Sequence, residues 1–146
     1  MRIHFWNTVL SLFFALLVII SLKLLSDAGR IYYGIPVRDL VLMALAIFRL
    51  VRLFTYDGIT KFIRDWFVDA RVDSFRHTLG VLINCPWCTG LWFSWVIVTF
   101  YFSSLYSWPV ILILSLAAIA SFIQVLTNWV GWNAEAKKLE VQRMGQ

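Results

Sequence analysis

Charge is scarce in this chain. Asp, Glu, Lys and Arg together make up 14% of 146 residues, against roughly 25% in soluble domains. With 61% hydrophobic residues and a mean hydropathy of +0.79, that shortage argues against a soluble globular enzyme. Cysteine occurs only twice, as Cys85 and Cys88, which excludes a disulfide scaffold. Histidine also occurs only twice, as His4 and His77. The sequence holds no glycine-rich phosphate loop, no HExxH and no Ser-His-Asp set with enough polar scaffold to orient it. Ionisable residues are missing from the middle of the apolar runs, where a transport pathway would usually place them. No repeat or low-complexity segment occurs.

Apolar runs of membrane length are what the chain has instead. Phe5 to Leu25 carries only Lys23 as a charge and exceeds the usual core of a cleaved signal peptide, so it reads as a membrane helix. Ser26 to Arg30 reads as its stop, with Gly29 as C-cap. Val37 to Phe54 follows Pro36, a residue suited to a first helical position, with Tyr32 and Tyr33 as an interfacial belt. Leu91 to Trp108 is strongly aromatic, and Val110 to Trp129 begins at once after Pro109, which predicts a tight antiparallel hairpin. Ala117 and Ser121 offer a close-approach face, and Gln124 and Asn128 can hydrogen-bond between helices. The expected fold is therefore all-α and integral to the membrane, with four transmembrane helices plus one interfacial amphipathic helix.

That fifth helix is read from the polar stretch between Thr55 and Asn84. Ile59, Phe62, Ile63, Trp66 and Phe67 recur at helical spacing, while Lys61, Arg64, Asp65 and Arg71 take the other face, a pattern that lies along a membrane surface. Asp57 is placed to cap this helix or to pair with Arg52. Arg49 and Arg52 share one face near the end of the second run and read as snorkelling anchors. The alternative is a polar pocket with Asp57, Asp65 or Asp69. His77 reads as a solvated loop residue.

The formal net charge is +5, but the basic residues form no tract or stripe with base-stacking spacing, so no nucleic-acid partner is expected. They fall between apolar runs and report topology. With four spans, ten of the 13 Lys and Arg lie on the side that holds both termini, which predicts a cytoplasmic N- and C-terminus. The expected location is therefore a membrane, crossed several times. The segments are 1–36, an N-terminal span and loop; 37–132, a helical membrane domain; and 133–146, a polar tail read as a frayed helix.

One constellation has unusual residue types at fixed spacing: Asn84-Cys85-Pro86-Trp87-Cys88-Thr89-Gly90-Leu91-Trp92. Pro86 suits a first helical position, which puts Asn84 or Cys85 at the N-cap and Cys88 in the first turn. A helix N-terminus there stabilises a thiolate, the basis of a redox dithiol. The expected cytosolic position keeps thiols reduced, and no second CxxC pair or quinone or flavin signature accompanies the first. Zinc is the other chemistry that the spacing suits, with Cys85, Cys88, His77 and His4 as the whole supply of thiol and imidazole ligands unless a second chain contributes. The bland alternative is packing at a proline-started helix, where the small thiols and Gly90 let Trp87 and Trp92 pack against the interfacial helix.

Two stretches also carry a family likeness. Ala46-Ile-Phe-Arg49-Leu-Val-Arg52-Leu-Phe-Thr-Tyr-Asp57, followed about thirty residues later by Cys85-Pro-Trp-Cys88-Thr-Gly90-Leu-Trp92, resembles the small bacterial and phage membrane proteins grouped as domain-of-unknown-function family 1360. Some of these are labelled sporulation proteins. The resemblance covers roughly Val37 to Trp129. It implies a bacterial or bacteriophage origin, hence the bacterial cytoplasmic (inner) membrane as the location of a multi-pass chain, and a compact helical membrane domain; it brings no activity, ligand or catalytic residue with it.

The function expected from these readings is non-enzymatic: a small multi-pass membrane protein acting in assembly or protein interaction, with the lipid bilayer and other membrane proteins or a second copy as partners. No cofactor is expected, zinc being the one exception that the cysteines suit. The alternative is a thiol redox or metal-dependent membrane factor centred on Cys85 and Cys88.

Overall fold

The computed structural model describes residues 2–31, 34–68, 74–104 and 106–144. Tyr32, Tyr33, Asp69 and Arg71 lie outside the described residues, as do the side chains of Arg2 and His4. The chain is all-helical: α1 (Arg2–Asp27), α2 (Val37–Thr55), a 3-10 turn (Gly58–Thr60), α3 (Lys61–Val68), α4 (Phe75–Asn84), α5 (Pro86–Ser103) and α6 (Ser107–Met144). The four apolar runs become α1, α2, α5 and α6.

α1 and α6 are each long and apolar enough to cross a membrane, and α4 with α5 reach that length and composition as one pair bent by 88°. α2 does not qualify by composition, because Arg38, Asp39, Arg49 and Arg52 fall within its 19 residues. At about 1.5 Å per residue its length is nevertheless close to the ~30 Å of a hydrocarbon core.

α1 ends as its sequence indicates. Gly29 adopts φ 63°, its N–H reaches Ser26 O at 2.9 Å, and the Arg30 N–H reaches Leu25 O at 3.0 Å. This pair of bonds satisfies two orphan carbonyls and needs the left-handed conformation that glycine adopts freely. Pro36 stands at the N-cap of α2, one place earlier than expected.

The core lies where α2, α5 and α6 cross. Met43, Ala46, Ile97 and Ile111 form it, and Ala46, Ser115 and Ala118 are almost wholly enclosed. Small residues let α2 and α6 approach closely, and the Ser115 hydroxyl bonds the Leu42 carbonyl oxygen across the contact at 2.6 Å, the kind of packing that holds helices together without a hydrophobic driving force. α6 packs chiefly on α2 and less on α5, so the expected α5–α6 hairpin is not the main helix pair. α1 joins through Trp95, whose Nε1 donates to Ser21 Oγ at 3.1 Å, and through Trp92, whose ring packs on Phe13 and Phe14.

Three expectations need correction. The polar stretch holds two helices, α3 and α4, where one was expected, and His77 sits in α4 and not in a loop. Ser74 caps α4 by accepting from the His77 N–H at 3.1 Å, a standard N-cap bond. The apolar residues at helical spacing split accordingly: Ile59 belongs to the 3-10 turn, and Phe62, Ile63, Trp66 and Phe67 to α3. α6 does not fray after Trp132 but runs unbroken to Met144. Its sequence past Gly131 lacks glycine and proline and is rich in Ala, Glu, Lys and Leu, all strong helix formers.

Candidate functional site

The chemistry-bearing residues gather where α2 ends and α5 begins. α2 terminates at Thr55 and exposes its last carbonyls. Thr60 folds back from the 3-10 turn and its hydroxyl donates to Leu53 O at 2.6 Å. Arg64 of α3 donates to Phe54 O at 2.9 Å and to Thr60 Oγ1 at 3.2 Å. A cation at a helix C-terminus also favours the helix dipole. Asp57 pairs with Arg49 at 3.0 Å, correcting the expected pairing with Arg52, and it makes no side-chain cap bond. Arg52 is half-buried, and among the described residues its side chain has no ion-pair or hydrogen-bond partner.

α3 lies against α4 at a close approach. A Cβ on Gly80 would stand 3.0 Å from the Phe67 Cβ, so only glycine fits without a shift. Arg76 covers the Trp66 ring at 5.2 Å and donates to the Trp66 carbonyl.

The break between α4 and α5 is built by the cysteine motif. Cys85 is extended, at φ −95° and ψ 108°, and serves as N-cap of α5, with Pro86 first in the helix. Proline lacks the N–H that would continue α4 onto Leu82 O, which keeps a shorter-range bond from the Cys85 N–H at 3.2 Å, and the 88° bend takes the next N–H away from Ile83 O. Thr89, buried one turn into α5, donates to Leu82 O at 2.8 Å, with Ile83 O at 3.3 Å. Thr55 Oγ1 adds a bond to Ile83 O at 3.5 Å. Thr60 and Thr89 were not singled out from the sequence. Each sits within seven residues of the carbonyls it satisfies, but a lone threonine carries no pattern that marks it.

Cys85 and Cys88 are free thiols. The Cys88 thiol hydrogen-bonds to Cys85, which together with the Cys88 backbone N–H holds the Cys85 thiol below its ordinary value; desolvation works the other way, and the Trp87 N–H adds to the lowering. Cys85 shares with His77, Asn84, Gly80 and Phe67 an open cavity of about 480 Å³. Cys88 lines a different cavity, with Thr78, Asn7 and Trp92. Among the described residues no three His, Cys, Asp or Glu side chains gather closely enough to hold a metal ion. The expected packing of Trp87 and Trp92 on the interfacial helix does not occur: Trp87 is 89% exposed, and Trp92 packs on α1. Gly90 faces Val51 of α2 at ordinary contact distance. Gln124 bonds Asn128 within α6 at 3.0 Å and reaches no neighbouring helix.

The model of the family described as "Protein of unknown function (DUF1360)" matches residues 68–127, from the end of α3 through the cysteine motif and into α6. The sporulation protein YjcA of Bacillus subtilis (strain 168) is 29% identical, with 61% of this chain and 90% of that protein covered. The UPF0713 protein YngL of the same organism is 30% identical, with 58% of this chain and 74% of that protein covered. No solved structure matches. This chain belongs to the DUF1360 family.

Proposed function

We propose that the chain is a four-span protein of the bacterial cytoplasmic membrane, with both termini in the cytoplasm, that acts by assembly with membrane partners and performs no chemistry of its own. The observation that carries this reading is the far half of α6. Past Ser121 every described side chain of α6 is exposed, over roughly 34 Å of helix. The arm is apolar through Trp132 and basic at Lys137 and Lys138, which suits a segment that leaves lipid at its tryptophans and meets a partner at the cytoplasmic surface. The Arg49–Asp57 pair supports α2 as a span, because it neutralises one of the charges that α2 carries near its end. The exposed Ile59, Phe62 and Trp66 support contact of the 3-10 turn and α3 with the membrane interface.

Comparing the full chain with a version that stops after Trp132, by native mass in nanodiscs and crosslinking in cells, tests the reading. The full chain is expected in a discrete assembly that the shortened chain loses while remaining inserted. Identical monomeric mass and crosslinking for both would overturn it.

A second reading, a thiol redox or zinc-dependent factor, is favoured by the Cys85–Cys88 contact alone. Metal analysis and thiol titration of one detergent-purified sample, prepared without reductant or added metal, decide it. Zinc at a fixed ratio, lost in the Cys85→Ser, Cys88→Ser double variant, would support a metal site. Two reduced thiols and no metal would remove it.

A further inference from the structure

Two cavities outside the cysteine region meet at Phe102. On the opposite end of the bundle, the C-cap of α1, the first turn of α2, the end of α5 and the start of α6 converge on an open cavity of about 530 Å³. Its wall carries a cation, Arg30, and an anion, Asp39, together with Tyr101, Ser107 and Trp108. Between α1 and α5 runs a groove of about 390 Å³ lined by apolar side chains including Val18, Leu22, Leu25 and Val98. Phe102 borders both spaces.

Asp39 is 8% exposed, which is unusual for a carboxylate. It accepts from the Tyr101 hydroxyl at 2.8 Å and forms an ion pair with Arg38 at 3.2 Å, whose side chain is largely exposed and so screened by solvent; a carboxylate offers about four acceptor positions, which leaves room for a further donor. Arg30 donates to the Ser103 carbonyl, which holds its guanidinium at the cavity wall with other N–H groups to spare. A ligand that fits must bring an anion and a hydrogen-bonding cation close together, at the head of an alkyl chain. The geometry points to one bound phospholipid with a zwitterionic, primary-ammonium headgroup: phosphate at Arg30, ammonium at Asp39, and an acyl chain in the α1–α5 groove. An anionic headgroup would satisfy Arg30 but bring negative charge against Asp39. A quaternary ammonium would offer the carboxylate no N–H. The site rests on the reading that α1 and α5 cross a bilayer.

Native mass spectrometry of the delipidated full chain in detergent, titrated with dioleoyl phosphatidylethanolamine, phosphatidylglycerol or phosphatidylcholine, tests the site. One phosphatidylethanolamine is expected to bind about three- to tenfold more tightly than either other lipid. Asp39→Asn is expected to abolish that preference, and Val98→Trp, which fills the groove, to weaken all three lipids. Arg30→Gln lies outside the helices and serves if Asp39→Asn does not fold; it is expected to weaken phosphatidylethanolamine and phosphatidylglycerol alike. Equal binding of the three lipids by the parent chain, or a preference unchanged by Asp39→Asn or affinities unchanged by Arg30→Gln, overturns the proposal. Alkaline carbonate extraction separates the two readings. Release of the chain from membranes sinks the membrane reading, whereas retention without lipid preference sinks the site alone.

Discussion

Thr89 Oγ1 stands 2.8 Å from the carbonyl oxygen of Leu82, joining the two sides of the 88° bend between α4 and α5. The bond places a donor on a carbonyl that Pro86 deprives of its helical partner. Thr89→Val keeps the shape and removes one of two donors to Leu82 O, the Cys85 N–H at 3.2 Å remaining, at a cost of about 0.5–1.5 kcal/mol. The expected result is a lower thermal midpoint in detergent for Thr89→Val, with Thr89→Ser close to the parent. Equal midpoints for Val and Ser would show that the hydroxyl is dispensable.

The close approach of α3 and α4 gives a second expectation. Gly80→Ala places a methyl 3.0 Å from the Phe67 Cβ, so the helices must separate at a cost of about 1–3 kcal/mol. Limited proteolysis is expected to cut near α3 faster in Gly80→Ala, and Phe67→Gly in the same chain, which removes the opposing Cβ, is expected to relieve part of the clash. Unchanged cleavage would mean that α3 is already loosely held.

Much of this architecture is legible in the sequence, and the failures have physical causes. The runs that became α1 and α6 announce themselves by length and composition, and Pro36 and Pro86 mark where the apolar runs of α2 and α5 begin. α4 was missed because its ten residues end at an uncharged helix break, and its one clear signal, Ser74 three residues before His77, is an ordinary N-cap. Asp57 selects Arg49 over Arg52 because the turn after α2 decides which arginine it meets, and no spacing rule encodes that turn. The roles of Thr60 and Thr89 depend on carbonyls that only the folded helix ends leave without their helical partners.

The cysteine pair has a pH signature. Hydrogen bonds from Cys88 lower the Cys85 thiol, so Cys85 forms thiolate at lower pH than an ordinary cysteine and is alkylated first as pH rises. Cys88→Ala removes the thiol donor, which comes first among the causes, and is expected to move the Cys85 alkylation profile to higher pH. Iodoacetamide rates measured across pH 6 to 10 by peptide mass spectrometry check this; a profile that stays put would assign the lowering to the backbone alone.

Ser115 holds α6 to α2 with its hydroxyl on Leu42 O and no exposed surface. Ser115→Leu forces a larger side chain into this contact and is expected to destabilise the bundle by about 1–3 kcal/mol, more than Ser115→Ala does. Thermal unfolding of both variants in detergent reads the order, and a Ser115→Leu chain as stable as the parent would move the core contact elsewhere on α6.

The central claim is four crossings with both termini in the cytoplasm. Single cysteines introduced into a Cys85→Ser, Cys88→Ser chain at Asp27, Ser104, Asp57 and Gln142 can be probed in cells with a membrane-impermeant maleimide. The account predicts labelling of positions 27 and 104 from outside, and of positions 57 and 142 only after the membrane is opened. Labelling of positions 57 and 142 from opposite sides, or of all four from one side, would contradict it.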